Sequence, residues 1–359
     1  MFKDTHTDRQ NCKFQLREFR HRNIGLLHLD VNMLSLSSFP TILLLIFSIL
    51  DGAFTLKENN RPIIGILTEP TDTFEFGQEY IQTSYVGYLE MAGARVVPVR
   101  GKQPQEYYQQ LFKNINGVFF PGGGADIDNG PYAQSGRYFY DMAIEANDKG
   151  DYFPIWGTCL GLELLTVLTA NKNYLQHTDS ENLTLPLIFQ KDFKNSRLFT
   201  NMPDELIKIL ASQSITQNNH QFSLLLADYF KLSELHNFYR LMSTSIGRDK
   251  QEFVSTFEAY KYPFYGVQWH PEKNIFIWAN NQVIDHSFDA VKITQYFADF
   301  FVNEARKSSH VYDSSDAEAH AVIENGMRVF VPNFNTAEVF YFNYTNNYFV
   351  EKYGRHKSY

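Results

Sequence analysis

From residue 62 onward, short apolar runs alternate with longer stretches in which apolar residues recur every three to four positions. The runs at 63–67 (Ile-Ile-Gly-Ile-Leu), 95–99 (Arg-Val-Val-Pro-Val), 117–120 (Gly-Val-Phe-Phe) and 153–156 (Phe-Pro-Ile-Trp) read as strands. The stretches 80–92, 103–114, 138–149 and 160–169 read as helices, the first ending at Gly93. Strands that are apolar throughout have to be covered on both faces. The alternation therefore predicts an α/β three-layer sandwich with a central, mostly parallel sheet.

Residues 178–250 are less regular, broken by Pro186 and Pro203, and predict hairpins and loops. Residues 252–258 and 262–270 read as two strands in a hairpin-like arrangement, and 290–307 as a long amphipathic helix. The aromatic segment 339–344 reads as a strand that brings a C-terminal tail back onto the domain. No internal repeat or low-complexity linker divides the chain, so residues 54–308 are expected to form one domain and 309–359 its tail.

Lys and Arg number 32 and Asp and Glu 40, a net charge of −8, and no block of consecutive basic residues occurs. That balance argues against a partner bound through phosphates, whether a nucleic acid or an anionic membrane. Residues 41–50 are almost wholly apolar, too short to span a bilayer but of the length of a signal-peptide core, with Gly52 and Ala53 following. Residues 1–53 are accordingly expected to be an N-terminal extension and signal peptide, with Met33 as the start and cleavage near 52–56. Two sequons, at Asn182 and Asn343, agree with secretory passage. No membrane association is expected of the mature chain.

The two cysteines are Cys12 and Cys159, and only Cys159 follows the signal segment. A lone cysteine in an oxidising compartment is either an intermolecular bridge or a reactive thiol. Its setting, Gly157-Thr-Cys-Leu-Gly161, falls where a strand meets a helix. There the flanking glycines permit a sharp turn that lifts a nucleophile out of the sheet. Cys159 would sit at a helix N-terminus, with the Leu160 amide aimed at a developing oxyanion. Gly123 or Gly124, in the loop after 117–120, would supply a second donor. Downstream stands Gly266-Val-Gln-Trp-His270-Pro-Glu272. In an extended segment His270 and Glu272 project to one side, so that the carboxylate orients an imidazole facing the thiol, a Cys/His/Glu triad. His177, His236 and His286 show no metal-ligand spacing, and neither a metal nor a cofactor is expected.

The blocks Trp156-Gly-Thr-Cys-Leu-Gly-Leu-Glu163 and Gly266-Val-Gln-Trp-His-Pro-Glu272 resemble the class I glutamine amidotransferase superfamily. Over residues 61–307 the text is similar to the gamma-glutamyl hydrolase family, through 92–99 (Ala-Gly-Ala-Arg-Val-Val-Pro-Val), 115–123 (Ile-Asn-Gly-Val-Phe-Phe-Pro-Gly-Gly) and 300–307 (Phe-Phe-Val-Asn-Glu-Ala-Arg-Lys). The resemblance implies a class I glutamine amidotransferase-like (flavodoxin-like) fold. It also implies Cys159 as nucleophile, His270 as acid/base and Glu272 as orienter. The segment Asn218-Asn-His220-Gln-Phe-Ser223 matches the family's N-x-H-x-x-S, which implies His220 in substrate contact or proton transfer. Folate (pteroyl) poly-γ-glutamates as small-molecule substrates, a lysosomal or secreted location and a homodimer are further implications. A polyanionic substrate on an acidic protein leads to the expectation of a local basic strip at the cleft. An ammonia-releasing glutaminase subunit shares the elbow and triad, and an inactive binding protein could share the fold. The first would need a synthase partner, and the second would be expected to lose a triad member.

Overall fold

The computed structural model of the chain describes residues 59–71, 77–331 and 337–344. Met33, the apolar run 41–50, Cys12 and Thr345 of the second sequon lie outside these residues. Fourteen strands are present among them. They are β1 (Ile63–Leu67), β2 (Glu69–Pro70), β3 (Glu79–Gln82), β4 (Arg95–Val99), β5 (Gly117–Phe120), β6 (Ile155–Thr158) and β7 (Gln176–Leu185). Then follow β8 (Ile188–Phe189), β9 (Thr216–Ser223), β10 (Tyr239–Ile246), β11 (Glu252–Ala259), β12 (Phe264–Val267), β13 (Met327–Val331) and β14 (Ala337–Phe342).

Eight of them form a central sheet in the order β4-β1-β5-β6-β12-β11-β10-β8. The five from β4 to β12 are parallel, and β11, β10 and β8 continue antiparallel. Side chains of β1 alternate between the faces. Ile63 and Leu67 join one apolar core with the helices Gln105–Asn114, Pro131–Asp148 and Leu160–Ala170. Ile64 and Ile66 join another with the helices Thr83–Glu90, Asp204–Ser212 and Phe288–Ala305. This is the flavodoxin-like three-layer sandwich, and its continuous apolar runs are the strands buried on both sides.

Several boundaries differ from expectation for identifiable reasons. The helix expected at 80–92 starts at Thr83, because Glu79–Gln82 pairs as β3 with β14 (Tyr80 opposite Tyr341). The helix expected from 138 begins at Pro131, which occupies the first helical turn, where its missing N–H costs nothing. The strand expected at 153–156 is displaced to Ile155–Thr158, in register with Phe264–Val267 of β12, which brings its end directly to Cys159. Residues 178–250 contain helices as well as strands. The extended segment expected up to 272 ends at Val267: residues 268–272 turn, Glu272 adopts helical dihedrals (φ −69°, ψ −27°), and a short helix Lys273–Phe276 follows. Pro271 has no N–H to continue a ladder.

The tail forms β13 and β14, which join β3 and β2 in a four-stranded sheet. A further two-stranded sheet, β7-β9, carries His220. No described helix is long and apolar enough to cross a membrane.

Candidate active site

In an open parallel sheet, loops at the carboxyl ends of the strands converge, most openly where strand order reverses. Here that reversal lies between β1 and β5, and β1, β5, β6 and β12 lead respectively to Glu69, Gly122–Gly124, Cys159 and His270.

Cys159 has φ 52° and ψ −109°, a backbone conformation L-residues avoid, and serves as N-cap of the helix Leu160–Ala170. The turn is held by its own amide, which donates to Val267 O (2.8 Å), and by its carbonyl, which accepts from the Glu163 amide (3.0 Å). Gly161 is required by close approach: a Cβ there would come 2.0 Å from Phe120 O of β5. The Leu160 amide lies where it favours negative charge on the Cys159 sulfur.

His270 donates its amide to Gln217 O (2.8 Å), and its Nδ1 lies 2.8 Å from Glu272 Oε1. An ionised carboxylate only accepts, so Nδ1 carries the proton and Nε2 the lone pair. Thus the His270–Glu272 pair is made by a turn, not by side-chain alternation along a strand. Tyr85 Oη lies 3.4 Å from the same Nδ1 and accepts the Gly122 amide (3.0 Å). A Cβ on Gly122 would stand 2.7 Å from His270 Cε1 and 3.1 Å from Cys159 Cβ, so this glycine keeps the space between thiol and imidazole open. Among the described residues no hydrogen bond joins Cys159 to His270 directly.

Both groups are buried. Burial pushes the Cys159 thiol well above its ordinary value, Glu163 adds to this, and Lys273 and the Leu160 amide oppose it. Burial likewise pulls the His270 imidazole down, Lys273 adds to this, and Glu272 opposes it. A neutral thiol beside a neutral imidazole is the resting state these directions favour, rather than a preformed thiolate–imidazolium pair.

Cys159 lies at the junction of two cavities. One, of about 700 Å³, is bordered by Gly123, Gly124, Leu160, Glu163, His220 and Phe222. The other, of about 510 Å³, is bordered by Glu69, Tyr80, Tyr85, His270, Lys273 and Gln82. His220 lies on β9 with Nδ1 3.0 Å from Phe222 O and Nε2 3.3 Å from Asn218 Oδ1, and burial lowers its pKa to about 3. It is neutral at any ordinary pH. Gly124 is not free as an oxyanion donor, because its amide donates to Glu69 Oε2 (2.9 Å). Among the described residues no basic strip lines the cleft as expected: Lys273 is the one Lys or Arg bordering either cavity, whereas Asp126, Asp128, Glu163 and Glu181 border the larger. Among the described residues no group of three or more His, Cys, Asp or Glu is placed to hold a metal ion.

Asn182, the first sequon residue, has a side chain already in use: Oδ1 accepts from the Val283 amide (2.6 Å) and Nδ2 donates to Asn281 O (3.3 Å). The carbonyl of Asn343 accepts from Arg100. Lys273, Tyr85 and Glu69 were not singled out in the sequence. Lys273 directly follows the His-Pro-Glu motif, and Glu69 stands just past the end of the first parallel strand, a position the convergence rule would have flagged.

A cysteine on a strained strand-to-helix elbow, with a buried histidine–carboxylate pair at the same sheet end, defines the α/β cysteine hydrolases. Residues 62–272 match the family Peptidase C26. The chain is 41% identical over 294 residues to gamma-glutamyl hydrolase of Rattus norvegicus, covering 81% of this chain and 92% of that one. It is 43% identical to the Homo sapiens gamma-glutamyl hydrolase (78% and 89%) and 39% identical to gamma-glutamyl hydrolase B of Dictyostelium discoideum (74% and 78%). The chain belongs to the gamma-glutamyl hydrolase family, Peptidase C26, and is a cysteine-type hydrolase.

Proposed function

We propose that the chain hydrolyses the γ-glutamyl isopeptide bonds of pteroyl poly-γ-glutamates, with Cys159 as nucleophile, His270 as acid/base and Glu272 as its orienter. The observation that carries this reading is the position of Cys159 at the meeting of two cavities, one of which is also bordered by His270, whose Nδ1 is held by the buried Glu272. Nε2 of His270 takes the thiol proton as Sγ attacks the γ-carbonyl carbon, and the same proton passes to the nitrogen of the leaving amine as the C–N bond breaks. The amides of Leu160 and Gly123 hold the oxyanion. Water, deprotonated by His270, then attacks the thioester and the thiol regains its proton.

The need to protonate the leaving nitrogen orients the substrate. The leaving glutamate belongs in the smaller cavity beside His270 and Lys273, whose ammonium suits its carboxylates. The acyl glutamate and its pteroyl group belong in the larger cavity, where His220 makes contact as a neutral ring. Targeting through residues 1–53 from Met33, a lysosomal or secreted location, glycans on Asn182 and Asn343, a catalytic domain of 54–308 with tail 309–359, and a homodimer complete the reading.

The test is release of glutamate or its peptides from a pteroyl-poly-γ-glutamate, with free glutamine as a parallel substrate. Cleavage of the γ-linked chain, at least ~10³-fold weaker in Cys159→Ala and ~10²-fold weaker in Glu272→Gln, with glutamine untouched, is the expected result. Glutamine hydrolysis instead would favour the glutaminase reading, and no cleavage of either a binding protein.

A further inference from the structure

Glu69 is a buried carboxyl that the mechanism above does not use. It lies on β2 opposite Tyr80, just beyond the end of β1, and is 3% exposed. Its carboxyl accepts from the amides of Gly124 (Oε2, 2.9 Å) and Ala125 and from the Tyr80 hydroxyl. It packs so closely on the glycine loop that a Cβ on Gly123 would fall 1.6 Å from Oε2. The groups facing it are Tyr80 from β3, Tyr85 from Thr83–Glu90 and Tyr132 from Pro131–Asp148. Across the smaller cavity stand Cys159, His270 and Lys273. Lys273 Nζ donates to Gln282 Oε1 (3.4 Å), and no salt bridge joins a cation to Glu69 among the described residues. Glu79, next to it on the sheet, is by contrast paired with Arg100.

We propose that Glu69 is a positioning and specificity-determining residue. It fixes the glycine loop that leaves the Gly123 amide for the oxyanion, and its charge state sets whether the smaller cavity accepts an anionic leaving group. The proposal rests on the γ-glutamyl hydrolase reading and on the placement of the leaving amine beside His270. When protonated, Glu69 is a neutral wall of that cavity and still accepts from the loop. When ionised, it sets a poorly screened negative charge against the carboxylates of a leaving glutamate. Burial raises its pKa to about 7, so the change falls between the acidic and neutral ranges.

Two substrates with one acyl glutamate test this: γ-glutamyl-glutamate, and the same dipeptide with both leaving-group carboxyls capped as amides. Their kcat/KM ratio, anionic over capped, is measured from pH 5 to pH 8 in the wild type and in Glu69→Gln, which keeps an acceptor for the Gly124 amide. The wild-type ratio is expected to fall about tenfold over this range, and the Glu69→Gln ratio to stay within about twofold. A flat wild-type ratio overturns the proposal whether or not the variant folds, and so does an equal fall in Glu69→Gln. Failure of the wild type to cleave either substrate would instead overturn the γ-glutamyl hydrolase reading on which the proposal stands.

Discussion

At the scale of single residues, the state of Cys159 before substrate arrives decides how the reaction begins. A helix N-terminus favours a thiolate, but here burial and the nearby Glu163 carboxyl outweigh it, and His270 is pulled down in the same direction of neutrality. In the proposed mechanism the proton then moves only as the sulfur attacks, when charge develops on the oxyanion beside the amides. This predicts slow alkylation of the free enzyme by iodoacetamide through pH 5–8, with a rate still climbing beyond pH 9. A preformed thiolate–imidazolium pair would instead give a plateau below pH 7. The sequence holds two cysteines, Cys12 and Cys159, so the labelling is read at Cys159 by peptide mapping. The elbow at Cys159 and the pairing of His270 with Glu272 were legible because each rests on a few consecutive residues, although the pair was expected from an extended segment and is made by a turn. The electrostatics were not, since they come from Lys273, Glu163 and Tyr85, which sequence leaves unconnected to the thiol and folding brings around it. For the same reason Gly124 read as an oxyanion donor, although Glu69, 55 positions away, takes its amide.

At the scale of elements, the cavity wall depends on a strand contributed by the tail. Tyr80 and Gln82 of β3 border the smaller cavity, and β3 is flanked by β2 and β14. The clasp is a buried ion pair: Arg100 bonds Glu79 and the Asn343 carbonyl, and its guanidinium lies 4.8 Å from the Phe342 ring centre. Glu79 also accepts from Thr68 Oγ1 (2.6 Å) and the Gly101 amide (2.7 Å). Removing one partner leaves the other charge buried, which costs about 3–5 kcal/mol. Arg100→Ala is therefore expected to lower unfolding free energy by about that amount in urea titrations and to raise KM more than it lowers kcat, because β3 supports the leaving-group cavity rather than the thiol. A loss below ~1 kcal/mol with unchanged KM would show that the tail is not clasped in this way. Parallel strands were legible as unbroken apolar runs, since both faces are covered. The strand β3 was not: Ile81, Tyr85, Tyr88 and Leu89 keep helical spacing straight through its end, and only the partner β14, more than 250 residues on, makes residues 79–82 extended.

At the scale of the whole molecule, a net charge of −8 says nothing of where the acids lie, and several of them lie buried at the carboxyl end of the sheet. Burial raises both Glu69 and Glu163 from 4.5 to about 7. A folded pKa above the unfolded one means that the folded state holds a proton which the unfolded state has released. The associated stability is present in full below about pH 4.5 and is lost as pH rises through about 7. His220 runs the other way: with its pKa lowered from 6.5 to about 3, its contribution is present above pH 6.5 and lost as pH falls toward 3. The His270 imidazole, also pulled down by burial, acts in the same sense as His220, whereas Glu258 and Asp299, raised by burial, act with Glu69 and Glu163. The four carboxyls against the two imidazoles should make the protein more stable at pH 5 than at pH 7.5. Glu163→Gln isolates one of these groups. Glu163 accepts from Gln268 Nε2 (2.8 Å), a bond the amide oxygen of the variant can keep, while the ionisation is removed. A shift of about 2.5 units at 1.36 kcal/mol each makes the variant about 3 kcal/mol more stable than the wild type at pH 7.5, and nearly equal to it below pH 4.5. Thermal melts of both proteins across pH 4–8 read this difference directly. Parallel curves would mean that the Glu163 carboxyl titrates in the folded protein as it does in the unfolded chain, and that water reaches the floor of the larger cavity.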